Sequence, residues 1–211
     1  MKIAIIDYGI GNVRSILGAF ENQGADVILT NNKDEILKSD GLVLPGVGAF
    51  SHGMENLISY GLGDVIKEYA ALDRPLMGIC LGMQLLFEES EEFGKTEGLG
   101  LILGKIVKLP TKDNQNEKLP HVSWNELNSN KVPWKNTILA DTKEGSDMYF
   151  VHSFVAQPRD SYNILSLTEY SSYHFCSSVK KGNIYGCQFH PEKSGPTGLK
   201  IINNFIRMCE A

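Results

Sequence analysis

Glycine is missing from the whole stretch between Lys105 and Glu144, although the chain of 211 residues contains 21 glycines, sixteen of them before Lys105. Glycine supplies backbone conformations with positive φ and lets the chain approach a neighbour or ligand closely, so special turns are expected in the first half. Cysteine is scarce. Cys80, Cys176, Cys187 and Cys209 show no C-x-x-C spacing, which argues against both a disulfide framework and a zinc site. Long apolar runs are also lacking: Ile3 to Ile6 stops at Asp7, far short of a signal-peptide core, and no later segment approaches membrane-spanning length. A soluble, cytoplasmic protein without a membrane partner is expected. There is no basic block either. Twenty Lys plus Arg against 25 Asp plus Glu give a net charge of −5, which speaks against a nucleic-acid surface. What is present, 42% hydrophobic residues, is enough to bury a sizeable core.

The first half alternates short apolar runs with helical patterns. Lys2 to Asp7 reads as a strand, Val13 to Gln23 as a helix, Asp26 to Thr30 as a strand and Lys33 to Lys38 as a short polar helix. Gly41 to Leu44 reads as a third strand stopped by Pro45, followed by helices over Met54 to Tyr60 and Leu62 to Leu72. A buried strand from Pro75 to Ile79 then precedes a helix from Leu81 to Glu89. Such alternation predicts a parallel sheet covered on both faces. From about Lys105 the pattern changes to short strand-like runs: Ile106 to Leu109, Val122 to Leu127, Met148 to His152, Ile164 to Thr168, Phe175 to Lys180 and Ile184 to Phe189. Without long helices between them they predict a mixed or antiparallel second half. Residues 112–118 read as an exposed loop, and Thr197 to Met208 as a docking helix with Leu199, Ile202, Phe205 and Ile206 on one face. No repeat or long linker divides the chain, so one domain over residues 1–211 is expected.

Gly78-Ile79-Cys80-Leu81-Gly82, between a buried strand and a helix, has the form of a nucleophile elbow, in which small flanking residues let the chain turn sharply and hold the central side chain in strained, exposed geometry. A G-x-C-x-G string arises by chance in roughly 0.04 of chains with this composition, before its placement is considered. A free cysteine is usually a small buried hydrophobe, and Cys176, Cys187 and Cys209 are read so. At a helix N-terminus, however, the Cys80 thiolate is favoured by the backbone dipole. A thiol nucleophile needs a base and the base an orienting group. Among the five histidines only His190 has a distinctive setting, Gln188-Phe189-His190-Pro191-Glu192, where residues two apart on an extended chain place His190 and Glu192 on one side. Pro45-Gly46-Val47-Gly48 follows the third strand and can turn backbone N–H groups toward a developing oxyanion, although as an isolated motif it is an ordinary strand-ending turn. Gly9-x-Gly11 lacks the third glycine of a dinucleotide fingerprint, and no cofactor or metal is expected.

Together, Gly78-Ile-Cys80-Leu-Gly-Met-Gln84 and Phe189-His190-Pro-Glu192 resemble the class I glutamine amidotransferases, whose Cys-His-Glu triad releases ammonia from glutamine. Ile5-Ile-Asp7-Tyr-Gly-x-Gly-Asn12, Leu44-Pro-Gly-Val-Gly48, Tyr149-Phe-Val-His-Ser153 and His190-Pro-Glu-Lys193-Ser narrow the likeness to the glutaminase subunits of imidazole glycerol phosphate synthase, over essentially the whole chain. The resemblance implies Cys80 as nucleophile, His190 as general base and then acid, and Glu192 as the group orienting it. It implies Gly46, Val47 and Gly48 as the oxyanion segment, with the Leu81 N–H as second donor. It further implies Gln84 and Glu92 at the amino-acid end of glutamine, Ser153 and Phe154 at the other wall, and Asn12, Trp124, Tyr149 and Lys193 facing a partner subunit. That partner is a (β/α)₈-barrel cyclase in a heterodimer, which uses the ammonia in histidine biosynthesis. Two departures stand out: Ser123 replaces the family's usual glycine before Trp124-Asn125, and Phe154 replaces its usual tyrosine.

Two other readings remain open from the sequence. One is a paralogue feeding ammonia to a cyclase-like partner with another acceptor, such as a surface sugar, which Ser123 and residues 128–147 slightly encourage. The other is a non-catalytic α/β module in which Cys80 is a redox thiol.

Overall fold

The computed structural model describes residues 1–110 and 118–210, so the loop expected at residues 112–118 lies, apart from Lys118, outside the described residues. The first half runs β1 (Lys2–Ile6), α1 (Val13–Asn22), β2 (Asp26–Thr30), α2 (Lys33–Lys38), β3 (Gly41–Leu44), α3 (Phe50–Ser59), α4 (Leu62–Ala71), β4 (Leu76–Ile79) and α5 (Leu81–Leu85). The second half runs β5 (Phe87–Ser90), β6 (Thr96–Glu97), β7 (Ile102–Lys108), β8 (His121–Ser129), β9 (Ser146–His152) and β10 (Phe154–Pro158). It closes with β11 (Ile164–Tyr170), β12 (Tyr173–Lys181), β13 (Ile184–Cys187) and α6 (Gly195–Cys209).

The strands pair in the order β2-β1-β3-β4-β13-β12-β10-β7-β5-β6, with β11 bridging β12 to β8, and β8 pairing β9. From β2 to β13 every pairing is parallel. Beyond β13 the ladder turns antiparallel through β12, β10 and β7, with one further parallel pair between β5 and β7. This is the expected α/β fold with a mixed second half.

Strand alternation divides the core between the two faces of the sheet. Ile3 and Ile5 of β1 join Phe20 of α1 and Ile202 and Phe205 of α6, whereas Ala4 and Ile6 join Leu57 of α3 and Ile66 of α4. The rings of Phe20 and Phe205 meet edge to face at 6.2 Å. Each such fully buried side chain contributes about 1.5–3 kcal/mol. Local chemistry agrees with these elements: Asn32 caps α2 by accepting from the Asp34 and Glu35 N–H groups, and Pro196 occupies the first turn of α6. Among the described residues no helix is long and apolar enough to cross a membrane.

Three departures from the sequence expectation bear on the site; α3 also starts earlier, at Phe50, β7 runs Ile102–Lys108, and the short β6 was not expected. The helix expected from Leu81 to Glu89 stops at Leu85, and Phe87–Ser90 becomes β5. The carbonyls of Leu85, Leu86, Phe87 and Glu88 accept from the N–H groups of Leu99, Ile102, Gly100 and Gly98, so tertiary pairing takes the acceptors that further helix would have used. β10 had no counterpart in the sequence reading; its five residues end in proline and carry too little pattern to stand out. The strand expected from Ile184 to Phe189 ends at Cys187, which changes how His190 and Glu192 meet.

Candidate active site

Cys80 sits between β4 and α5 with φ 55° and ψ −113°, a region that non-glycine residues occupy only when their surroundings hold them there. The flanking glycines explain how. A Cβ on Gly78 would lie 2.7 Å from the Gly82 carbonyl and from the Met83 Cα, and one on Gly82 would collide with the Leu44 carbonyl oxygen. The first turn of α5 therefore lies directly on β4 and on the end of β3. The Cys80 N–H is tied to the Cys187 carbonyl at 2.7 Å. The strain expected at the elbow is present, but the residue is only 6% exposed: the thiol lies within a cleft rather than out on the surface.

His190 follows β13, its N–H donating to the Tyr149 carbonyl at 3.0 Å and its carbonyl accepting from Ser194 Oγ at 2.6 Å. Residues Pro191–Lys193 form a 3₁₀ turn rather than extended chain, and this turn brings Glu192 Oε1 to 2.9 Å from His190 Nδ1. Both side chains are almost completely buried, at 2% and 0% exposure. His190 Nε2 has no partner within hydrogen-bond distance among the described residues and is left for the cleft it shares with Cys80, the residue that interacts with the ring besides Glu192. Burial alone disfavours the imidazolium, but Cys80 and the Glu192 carboxylate more than offset it, and the His190 pKa is pushed up to about 9.

Cys80 and His190 open into a cleft of about 220 Å³ that is also lined by Val47, Gly48, Leu81, Gln84, Glu92, Ser153 and Phe154, so the expected triad and substrate residues other than Gly46 meet around one space or directly behind it. The buried Gln84 donates from Nε2 to the Phe154 carbonyl at 3.1 Å and to Gln188 Oε1 at 3.0 Å. Glu92 accepts the Phe50 N–H at 2.7 Å and so stands at the N-terminus of α3, where the helix dipole favours its charge.

Gly46 lies beside the cleft, and its carbonyl accepts the Leu81 N–H at 3.3 Å. The Gly46–Val47 peptide is trans, so the Val47 N–H points away from the Leu81 N–H, and in this arrangement the two donors do not converge. Gly48, at φ +102° with nothing near its missing Cβ, gives the segment room to turn.

Sequence reasoning missed several contributors. Gln188 Nε2 lies 3.9 Å from Cys80 Sγ, and Val151, His152 and Pro120 complete the cleft. Tyr8 donates its hydroxyl to the Pro45 carbonyl at 2.7 Å, and burial, with Cys80 nearby, pushes its pKa up so that it remains a donor. All but Val151 and Pro120 carry a polar side chain within or next to a motif already singled out, and that adjacency was the available signal.

The residues expected to face a partner fall into one cluster and one outlier. The rings of Trp124 and Tyr149 lie 5.8 Å apart, Lys193 Nζ sits 5.9 Å above the Tyr149 ring, and Tyr149 is 6.3 Å from His190. Trp124 is 51% exposed. Asn12, exposed at the start of α1, belongs to the turn after β1; this turn and the Cys80 and Gly46 segments all leave the carboxyl ends of parallel strands.

Comparison with known proteins agrees with this geometry. The family model described as "Glutamine amidotransferase class-I" matches residues 4–209. The chain is 45% identical over 211 residues to "Imidazole glycerol phosphate synthase subunit HisH 1" of Legionella pneumophila (strain Lens), covering 98% of this chain and 99% of that protein. It is 47% identical over 210 residues to the HisH subunit of Bacillus cereus (strain B4264), covering 99% of this chain and 96% of that one. Among solved structures, a glutamine amidotransferase superposes with a TM-score of 0.74 at 15% identity over 99% of both chains. A chain of PurLQS from Thermotoga maritima gives 0.73 at 20% identity, covering 98% of this chain and 97% of that one. These two support the fold alone, whereas the family match and the closer relatives extend over nearly the whole sequence: the chain belongs to the class-I glutamine amidotransferases, and within them to the HisH subunits of imidazole glycerol phosphate synthase.

Proposed function

We propose that this chain hydrolyses L-glutamine to glutamate and ammonia with Cys80, His190 and Glu192, and passes the ammonia to a (β/α)₈-barrel cyclase subunit in a cytoplasmic heterodimer that makes imidazole glycerol phosphate for histidine biosynthesis. The observation that carries the reading is the buried His190–Glu192 pair, with Nε2 of the raised imidazole left toward a cysteine held in elbow geometry. A redox thiol requires none of these three features.

In the proposed reaction the proton of the Cys80 thiol resides on His190, and Glu192 stabilises the imidazolium. The thiolate attacks the carboxamide carbon and the carbonyl electrons move to oxygen. As the tetrahedral species collapses, His190 Nε2–H protonates the departing nitrogen, ammonia leaves and a glutamyl thioester remains. His190, now neutral, takes a proton from water, whose oxygen attacks the thioester; collapse releases glutamate and restores the ion pair. Gln84 and Glu92 hold the amino-acid end of glutamine. Free ammonia is mostly ammonium near neutral pH and then has no lone pair for attack, which favours direct delivery to a second site.

The oxyanion requires donors, and the Leu81 N–H is engaged by Gly46. Turning the Gly46–Val47 peptide over would release it and aim the Val47 N–H at the same point. The isolated chain is therefore expected to be a weak glutaminase that a partner docked at Trp124, Tyr149, Lys193 and Asn12 activates. The test is glutamine turnover with and without the cognate barrel subunit and its bound nucleotide. Strong activation supports the reading, and vigorous turnover by the lone chain that no partner alters overturns it. Restoration of growth without histidine in a strain lacking this subunit tests the pathway, and failure to restore it favours another ammonia acceptor.

A further inference from the structure

Two buried histidines, one lining the cleft and one behind it, take no part in the chemistry described above. His152 lines the cleft at 6% exposure, and His121 behind it is fully buried. His152 Nδ1 lies 3.0 Å from the Phe154 carbonyl, His152 Nε2 lies 3.0 Å from His121 Nδ1, and the atom of Asn125 assigned 2.8 Å from His121 Nε2 is Oδ1. The Phe154 carbonyl is also the acceptor for Gln84 Nε2. We propose that His152, its tautomer fixed by His121, is a positioning residue of the glutamine subsite that holds this shared carbonyl, and through it Gln84, in place; the proposal rests on the glutaminase reading.

The donor and acceptor inventory dictates the arrangement. A carbonyl only accepts, so His152 Nδ1 carries hydrogen and, in the neutral ring, Nε2 is a lone pair. His121 Nδ1–H donates to that lone pair, which leaves His121 Nε2 as an acceptor. Asn125 satisfies it once its amide is turned over, which brings the NH₂ to His121 and Oδ1 to the Glu169 carbonyl; the 3.2 Å bond from Nδ2 to that carbonyl is lost on the exposed side, where water can part the two oxygens. The opposite pair of tautomers would press two lone pairs together at Phe154, inside the protein, where an unmade hydrogen bond is most expensive. A charged pair is opposed by burial, which pushes the pKa of His121 down and that of His152 down to about 3, the latter with help from the nearby His121 and His190. The His121 ring is also stacked between Tyr170, with centroids at 4.0 Å, and Phe150, at 5.3 Å, so its nitrogens are fixed in direction. A hydrogen bond on the far side of an imidazole commonly decides which nitrogen works on the near side, and here the working nitrogen supports a carbonyl.

The test uses His121, which touches neither substrate nor triad. His121→Phe keeps a ring in the stack but removes the donor, freeing His152 to carry its hydrogen on Nε2. In the complex with the barrel subunit it is expected to raise KM for glutamine about tenfold with kcat within about threefold, the pattern of lost ground-state binding. His121→Asn places an amide nitrogen where Nδ1 stood and is expected to return KM to within about threefold of the parent. In ¹⁵N spectra of the histidine-labelled chain near pH 7, His152 is expected protonated at Nδ1 and bare at Nε2. A parental His152 protonated at Nε2 overturns the proposal, as does an unchanged KM in His121→Phe or an equal rise in both variants. If His121→Phe does not fold, the spectrum decides. A parent complex that hydrolyses no glutamine overturns the glutaminase reading and this proposal with it, and the spectrum tells that outcome apart from failure of the histidine pair alone.

Discussion

Replacing Glu192 with glutamine keeps the shape of the buried pair and removes its charge. In the parent, His190 is raised from 6.5 to about 9, with burial opposing and Cys80 and Glu192 driving the rise. Each pH unit of displacement is worth about 1.4 kcal/mol, so the whole displacement amounts to about 3 kcal/mol. Cys80 and Glu192 share the push against burial, so Glu192→Gln is expected to move the imidazole down toward its ordinary value. A glutamine amide can also donate to Nδ1 and so select a ring with the wrong nitrogen protonated, and loss of tautomer control in a buried triad is far more damaging than loss of charge. The two effects together predict a fall in kcat/KM of about 10²–10³ in the partner-activated complex, with the alkaline limb of the pH profile displaced toward lower pH.

The same displacement fixes the sign of a stability effect. Because the folded-state pKa of His190 is raised, its contribution is fully present below about pH 6.5 and is lost as pH rises toward about 9. Denaturant unfolding at pH 6.5 and pH 9 should show a smaller loss in Glu192→Gln than in the parent. The assay is steady-state glutamine hydrolysis from pH 6 to pH 10, with the pH dependence of Cys80 alkylation as a readout independent of turnover. If kcat/KM stays within threefold of the parent and neither profile moves, Glu192 does not orient or charge His190, and the triad reasoning fails.

Gly82→Ala drives a methyl group into the Leu44 carbonyl and should either unfold the chain or shift the elbow, with a loss of at least about 3 kcal/mol in denaturant unfolding; a stable, fully active variant would refute the packing argument. Tyr8→Phe removes the hydroxyl that holds the Pro45 carbonyl and is expected to lower stability by about 1–2 kcal/mol, measured by thermal unfolding, with no change refuting the role of that bond. The neutral, buried His152 has a pKa pushed down to about 3, so its contribution is present above about pH 6.5 and is lost as pH falls toward 3; His152→Gln should make unfolding less sensitive to acid in that window, and a parallel pH dependence would count against it. Trp124→Ala removes an exposed ring tilted against Tyr149 and is expected to weaken partner binding tenfold or more in titration calorimetry while leaving thermal unfolding of the lone chain in place.

Cys80 was legible because its glycines announce a backbone problem before they announce chemistry: Gly78 and Gly82 occupy sites where any Cβ meets main chain, and main chain cannot move aside. His190 and Glu192 were legible as residues but not as geometry. Alternation along a strand placed them on one side, whereas the strand has already ended at Cys187 and a 3₁₀ turn opened by Pro191 brings them together. The end of α5 was not legible, since Leu81 to Glu89 has a helical pattern and only the distant Gly98–Ile102 segment supplies the competing partners. Gln188 stood within a quoted motif, but its part was hidden for a related reason: its contact with Cys80 depends on which strand lies beside β4.

That neighbour is decisive. β13 is reached only after the antiparallel excursion of the second half, yet it pairs parallel to β4 with Cys187 opposite Ile79 and Gly186 opposite Gly78. In this register the Cys187 carbonyl holds the Cys80 N–H, Gln188 lies beside the sulfur, and His190 leaves the sheet next to Cys80. A slip of one residue would reverse every side chain of β13 and carry Gln188 away from the sulfur. The register is locked from above by α5. A Cβ on Gly186 would stand 2.6 Å from Met83 Cγ, just as one on Gly78 would strike the backbone of Gly82 and Met83, so the facing glycines form a floor that only this pairing provides. The glycine-rich half thus sets more than the elbow: with Gly186 from the other half, it fits the register that brings His190 from one part of the sheet to Cys80 from the other.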